Sequence, residues 1–402
     1  MKKTLFILIV LSIFISSCNQ QTQKNTQPYL VILSMDGFRW DYTDSVATPN
    51  FDAMAKRGVK AESMQVSFPS KTFPNHYTLA TGLVPNHHGI VNNTFYAPKY
   101  DEVYSISKRE MVQDGKFYGG EPIWNTAEKQ GVKAASYFWV GSEADIQGMH
   151  PSIWKLYDQK IDFYQRADSV IAWLNLPNEK RPHMILWYVH EPDHSGHRYG
   201  PHSIQTDSVV KNLDELLGYF MKKLDAQAVG KQVNFILTAD HGMENISKDR
   251  VVYLDDVLPE KWYDYCLGSN PIYNIKAHEK YKDSIQLVLN QIKGIKCYEN
   301  PNLPDYLNYG DNPRCLDFTI VADSAFSLIK SRRKHFGGGT HGYDIHNKNM
   351  NAIFYAYGPA FKQGYAQPMF KNVDVYPLMC QILGLVPAPN DGDFKEVSGM
   401  LK

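Results

Sequence analysis

Three carboxylates and three imidazoles stand out, each at the end of an apolar run or beside glycine. Asp36 lies in Ser34-Met35-Asp36-Gly37, directly after the run Tyr29 to Leu33. Asp193 and His197 share Asp193-His194-Ser195-Gly196-His197, a few residues beyond Met184 to Val189. Asp240 and His241 close the run Val233 to Leu237, and Gly242 permits a turn there. His341 sits in Phe336-Gly337-Gly338-Gly339-Thr340-His341-Gly342-Tyr343, where glycines on both sides let a backbone approach an ion. Singly, each has an ordinary explanation: a turn cap for Asp36, a surface histidine for His197, a mobile loop for His341. Together they form a ligand set. Neutral imidazole and carboxylate suit zinc. Six ligands are too many for one tetrahedral ion but suit two, if a seventh ligand and a substrate complete the set. Two ions about 3.5–4 Å apart clamp the attacking and leaving oxygens of an in-line phosphoryl displacement.

The seventh candidate is Thr72. Phe68-Pro69-Ser70-Lys71-Thr72-Phe73-Pro74-Asn75-His76-Tyr77 leads into an expected helix, with Pro74 near its first turn and Gly82 past its end. Thr72 then stands at a helix N-terminus, where the dipole and free N–H groups favour an anionic oxygen. A hydroxyl on a metal is held as alkoxide at neutral pH without a histidine base. On the local pattern alone, an N-cap role for Thr72 or Ser70 fits better.

The elements that must position these residues alternate. Tyr29 to Leu33, Met184 to Val189, Val233 to Leu237 and Ala352 to Tyr357 are continuous apolar runs, as in strands buried on both faces. Helical periods lie between them, at Asp162 to Leu176 and Ser203 to Lys223. This predicts an α/β fold with a mainly parallel central sheet and helices on both faces. Ligands bind beyond the carboxyl ends of such strands, which is where Asp36, Asp193, Asp240 and His241 fall. Pro192 and Gly196 argue for a loop around Asp193 and His197. The stretch 251–327, with short strands around a helix at Glu279 to Ile292, is expected to be a small inserted α+β cap. Val373 to Leu383 is expected to be a closing helix. No internal repeat is visible.

Composition narrows the function. In 402 residues, Lys+Arg and Asp+Glu are both 42, so the net charge is zero. That excludes a protein that holds duplex nucleic acid by bulk charge. A hydrophobic share of 43% excludes a disordered chain. The 26 tyrosines suit either an aromatic-lined cleft or a tyrosine-rich core. Lys2 and Lys3, the apolar run Leu5 to Ile15, and Ser16-Ser17-Cys18 form a signal peptide over 1–18. Ile15-Ser16-Ser17-Cys18 resembles a bacterial lipobox, which implies lipid attachment at Cys18. The polar stretch 19–27 is a tether, and 28–400 is left for a catalytic domain. The expected location is outside the cytoplasm, lipid-anchored and facing the periplasm, with no other membrane contact. Export permits disulfides, and Cys297 with Cys315 would close the Pro/Asn-rich connection between them. Cys380 reads as a buried helix thiol.

The motifs, in order along the chain, resemble those of nucleotide pyrophosphatase/phosphodiesterases of the alkaline phosphatase superfamily. They are Ser34 to Gly37, Phe68 to Gly82 with His88-Gly89, Asn92 to Tyr96, Phe138-Trp139 with Gly141 to Glu143, Glu191 to His197 with Tyr199 to Pro201, Thr238 to Gly242, His341 to Asp344 and Gly358-Pro359. The resemblance implies an alkaline-phosphatase-like fold and two zinc ions per chain. Asp36, Thr72, Asp240 and His241 would hold one ion; Asp193, His197 and His341 would hold the other. Thr72 would be the nucleophile, forming a covalent phospho-threonine, and Asn93 would donate to a phosphate oxygen. Phe73 and Tyr157 would sandwich a nucleobase, with Trp139 and Tyr188 lining the pocket. The implied substrate is a small nucleotide phosphodiester or pyrophosphate, cleaved to a nucleoside monophosphate. A choline-phosphodiester or phospholipase C-like hydrolase shares every metal ligand and differs only in the pocket. A sulfatase would need a Cys or Ser in a C/S-x-P-x-R motif where Thr72 stands. A phosphomonoesterase would need more positive charge or a third metal. A non-catalytic metal-binding lipoprotein would be expected to have a broken ligand set. Only the catalytic domain is expected, without the extra modules of vertebrate members, and Gly337 to Thr340 is richer in glycine than the family pattern.

Overall fold

A computed structural model describes residues 27–331 and 336–402. The signal segment, Cys18 and all of the tether except Gln27 lie outside the described residues. The central sheet has eight strands, in the order Tyr365–Gln367, Val59–Ala61, Phe354–Tyr357, Val233–Thr238, Tyr29–Met35, Met184–Val189, Ala134–Tyr137 and Ile153–Lys155. Every pairing is parallel except the two made by Phe354–Tyr357. The fold is the expected α/β, with a mostly parallel sheet. Each residue of the Tyr29, Met184 and Val233 strands is buried. That burial requires cover on both faces, and it explains why these strands read as unbroken apolar runs. Each fully buried Val, Leu or Ile among them contributes about 1.5–3 kcal/mol of transfer free energy.

The helices that cover the sheet start where their sequences predict. Asp162 accepts from the N–H groups of Tyr164 and Gln165 and caps the helix Phe163–Leu174. Ser203 accepts from Thr206 N–H and caps Ile204–Asp225. Val375–Leu383 is helical and ends at Gly384 in the left-handed region. Within 251–327, four antiparallel strands (Tyr263–Ser269, Ile272–Ala277, Phe318–Ala322, Ile295–Glu299) carry the helix Lys282–Leu289. Cys297 and Cys315 do not bridge: Cys266, Cys297, Cys315 and Cys380 are all buried free thiols. Cys297 lies in an edge strand paired to Ile320, while Cys315 ends a short turn. Among the described residues, no helix is long and apolar enough to cross a membrane.

Candidate metal centre and substrate pocket

The central strands run parallel, so their carboxyl ends deliver side chains to one edge. Asp36 follows the Tyr29 strand, and Asp240 with His241 follows the Val233 strand. Asp193 opens a helix, Asp193–Tyr199, beyond the Met184 strand. This is a helix rather than the expected loop. Pro192 sits at its N-cap position, and Gly196 is accommodated because a Cβ there would press on Met243. The helix puts Asp193 and His197 on one face, four residues apart. His341 arrives from the short strand Gly339–Thr340, which pairs with Glu244–Asn245.

Two triads result: Asp36, Asp240 and His241, and Asp193, His197 and His341, each with its ligand atoms within 4.8 Å of one another. His241 Nε2 is 3.3 Å from Asp36 Oδ1 and 3.0 Å from Asp240 Oδ2. Asp193 Oδ1 is 3.4 Å from His197 Nε2 and 3.6 Å from His341 Nε2. The rings of His241 and His341 stack at 3.5 Å, so the triads adjoin. Thr72 is the first residue of the helix Thr72–Thr81 and its Oγ1 lies 3.1 Å from His241 Nε2. Neither Thr72 nor Ser70 caps that helix. The N-cap is Lys71, and Ser70 Oγ instead accepts from Gly342 N–H and donates to Tyr343 O.

The donor chemistry fits metal ions. In all three histidines Nδ1 faces a backbone carbonyl: Gly242 O for His241, Gly339 O for His197 and Ser70 O for His341. Nδ1 therefore carries the proton, and each Nε2 presents a lone pair to the cluster. His197 and His341 point these lone pairs at each other across 3.1 Å. Asp36 Oδ1, Asp193 Oδ1 and Asp240 Oδ2 are buried with no hydrogen-bond partner. Three orphaned carboxylate oxygens and three bare imidazole nitrogens in one place are costly unless a cation joins them. Burial, and then the charges of Asp240 and Asp193, push the Asp36 carboxyl well above its ordinary range.

A cavity of about 330 Å³ opens from this edge. Asp36, Thr72 and Asp193 lie at its base, and Phe73, Phe138, Trp139, Tyr157 and Tyr188 line it. Four of the five substrate residues expected from sequence therefore meet there. Phe73 and Tyr157 are partly exposed, whereas Trp139 and Tyr188 are buried. Trp139 Nε1 donates to His76 O, and Tyr188 Oη donates to Asp36 Oδ2 at 2.5 Å. The fifth, Asn93, accepts the Phe73 N–H on Oδ1 at 3.1 Å, which leaves its NH2 as the outward donor.

Several site residues escaped the sequence reading. His76 is fully buried one turn beyond Thr72. Its Nδ1 lies 3.1 Å from Thr72 O and 3.2 Å from Asp240 Oδ2, and its Nε2 is 2.8 Å from Ser34 Oγ. The i, i+4 spacing from Thr72 was the available signal. Lys71 Nζ donates to Asn270 O at 2.6 Å, and burial pulls its ammonium down to about 7. Arg109 pairs with Glu143 on the cavity wall. No local pattern announces that pair.

Comparison with known proteins agrees with the motif order. The family model described as type I phosphodiesterase / nucleotide pyrophosphatase matches residues 30–344. A venom phosphodiesterase of Naja atra is 37% identical over 398 residues, covering 96% of this chain and 48% of that protein. Ectonucleotide pyrophosphatase/phosphodiesterase family member 3 of Bos taurus is 35% identical, covering 93% of this chain and 44% of that protein. The chain thus spans about half the length of the curated relatives it matches. A solved structure of murine ectonucleotide pyrophosphatase/phosphodiesterase 5, an inactive threonine-to-alanine form in complex with AMP, superposes with a TM-score of 0.89 at 33% identity. It covers 94% of this chain and all of that one.

Proposed function

The chain belongs to the type I phosphodiesterase / nucleotide pyrophosphatase family, and on that premise we propose that residues 28–400 form a phosphodiesterase cleaving nucleotide pyrophosphates and phosphodiesters to nucleoside monophosphates. One observation carries this reading: a helix-terminal hydroxyl, Thr72 Oγ1, stands 3.1 Å from His241 Nε2, a member of one of two adjoining triads of bare metal-type donors, at the base of an aromatic cavity. We assign one zinc ion to Asp36, Thr72, Asp240 and His241, and a second to Asp193, His197 and His341. Bound there, the ions would supply positive charge to the phosphate and lower the pKa of the attacking groups.

Thr72 Oγ1 is the nucleophile, displacing the leaving oxygen in line and forming phospho-threonine. Water then cleaves that ester in a second in-line step, so configuration at phosphorus is retained. The Thr72 helix sets its positive dipole end against the developing charge. Asn93 donates through its NH2 to a non-bridging oxygen, its Oδ1 being held by Phe73 N–H. Phe73 and Tyr157 stack on the base, and Trp139 and Tyr188 form fixed walls. The murine relative, inactive as a threonine-to-alanine form and in complex with AMP, supports both the nucleophile and the substrate class. We place the enzyme outside the cytoplasm, with Cys18 as its lipid anchor.

A paired assay tests the reading. Zinc-loaded protein lacking residues 1–18 is given p-nitrophenyl thymidine monophosphate or p-nitrophenyl phosphorylcholine, with Thr72→Ala as the blank. The expected result is preference for the nucleotide ester, abolished in Thr72→Ala while zinc content is kept. Preference for the choline ester would overturn the pocket assignment, and full turnover by Thr72→Ala would overturn the nucleophile.

A further inference from the structure

Arg166 is wholly buried in the first turns of the helix Phe163–Leu174, yet no carboxylate pairs with it among the described residues. Its guanidinium is spent on backbone carbonyls. Nη1 donates to Tyr188 O at 2.9 Å, Nε to Ile161 O at 3.1 Å and Nη2 to Gln159 O at 3.4 Å. The rings of Phe138 and Phe163 lie 5.0 Å from the guanidinium carbon. These partners belong to separate pieces of the cavity. Tyr188 is in a central strand, Phe138 follows another, and Gln159 and Ile161 belong to 156–162, which has no helix or strand. That irregular segment carries Tyr157, whose ring meets Phe138 at 5.2 Å and Tyr188 at 6.1 Å. Its end is held by the Asp162 cap, and at Tyr157 it is tied by the bond from Tyr157 N–H to Glu143 Oε1 at 2.9 Å.

We infer that Arg166 is a positioning residue for the substrate pocket: one buried fork, bonded to the Tyr157 segment and to the Tyr188 strand at once, sets how far the Tyr157 ring stands from the rest of the wall. The argument rests on the proposed reading of the cavity as a base pocket. Arg166 itself is not part of the cavity lining. A rigid plane of donors is needed, because two carbonyls of 156–162 and one of the Tyr188 strand must be met at once. A lysine supplies the charge but not the planar fork. Without Arg166 the three carbonyls lose that partner, and between the Asp162 cap and the Glu143 bond the segment loses its tie to the Tyr188 strand. The Tyr157 ring then samples positions that cannot press on a base.

The test uses zinc-loaded Arg166→Met and Arg166→Lys, assayed with p-nitrophenyl thymidine monophosphate and with methyl p-nitrophenyl phosphate, which has no base. Amide exchange of residues 156–162 is measured alongside. The ratio of kcat/KM between the two esters is expected to fall about tenfold in Arg166→Met, a share of what base stacking contributes. Arg166→Lys should recover part of that ratio, and exchange over 156–162 should quicken in both variants. Equal losses on the two esters would overturn the proposal, since a general structural defect does not discriminate between them. A wild-type ratio near one would sink the base-pocket reading instead. Exchange would then decide Arg166 by itself, with unchanged protection of 156–162 overturning its role. If Arg166→Met fails to fold, a full wild-type ratio and wild-type exchange in Arg166→Lys would refute it.

Discussion

Replacing Tyr188 by phenylalanine isolates the contribution of one hydroxyl to the proposed metal centre. Its Oη donates to Asp36 Oδ2 at 2.5 Å, inside a residue that is 8% exposed. Burial, and next the Asp36 charge, hold the phenol far above its ordinary pKa, so it always stands as a donor. Asp36 Oδ1 has no partner and faces His241 at 3.3 Å. The Tyr188 bond therefore both orients the carboxylate and stabilises its anion. A hydrogen bond to a buried charged group contributes about 1.5–3 kcal/mol. Removal of an outer partner of a metal ligand typically weakens metal binding by about 10–100-fold. The two estimates overlap, since about 1.4 kcal/mol is a tenfold change. Tyr188→Phe should thus raise the zinc dissociation constant by roughly 10–100-fold. The ring stays in the cavity wall, so KM for a nucleotide ester at saturating zinc should shift by less than about threefold. Competition with a chromophoric zinc chelator gives the affinity, and activity against free zinc gives the rescue. A zinc affinity within about threefold of wild type would refute the orientation argument. So would a loss of activity that saturating zinc does not restore.

Truncating Phe73 or Tyr157 to alanine should raise KM for nucleotide esters by about 5- to 100-fold, the range of one lost stacking contact. Steady-state kinetics against the base-free ester checks that the loss is confined to nucleotides. Gly37→Ala places a side chain at φ +68° with its Cβ 2.9 Å from Asp193 Cα and Cβ. It should cost roughly 2 kcal/mol or more in stability and depress zinc content, seen by thermal unfolding and metal analysis. His88 is buried with Nδ1 accepting from Ile90 N–H, and burial drives its pKa down to about 3. Its unfolded form titrates near 6.5, so the unfolded chain takes up the proton first. Stability should therefore be complete above about pH 6.5 and fall by about 1.4 kcal/mol per pH unit from there toward pH 3. A His88→Gln variant should show a shallower acid slope in chemical denaturation, and an identical slope would refute the assignment.

The parts of the site legible in sequence were those where side-chain type and strand ends coincide. Asp36, Asp240 and His241 follow unbroken apolar runs, and a parallel sheet leaves such residues on one edge. Legibility ended where a distant contact decides local structure. Pro192 and Gly196 read as breakers around Asp193, yet the chain is helical there. Met243, far along the chain, fills the space that a side chain at Gly196 would need. His76 was hidden inside a stretch that already read as helix, although its spacing from Thr72 places it on the same face. Cys297 and Cys315 flank a turn-rich connection, which made a bridge look natural. Strand pairing and turn geometry left both as free thiols instead. Arg166 could not be seen at all, because its partners are carbonyls that any residue could supply.

These differences separate the site into two constructions. Asp36, Asp240 and His241 follow the ends of strands whose every residue is buried, Asp193 and His197 sit on the helix after a third such strand, and His341 follows the short strand Gly339–Thr340, so most of their spacing is set by the sheet. The outer wall at Tyr157 sits on 156–162, which has no ladder of its own and is tied by Arg166, by Glu143 and by the Asp162 cap at its end. Shifting a ligand means deforming the core, where one strand cannot move without its neighbours. Shifting Tyr157 means changing a few side-chain tethers. Substitutions that alter which diester is accepted should therefore concentrate at Phe73 and between 138 and 166 and leave zinc affinity intact. Substitutions that alter metal binding should fall at the strand ends and depress turnover on every diester alike. A variant in the 138–166 region that lost zinc while keeping its substrate preference would break that division.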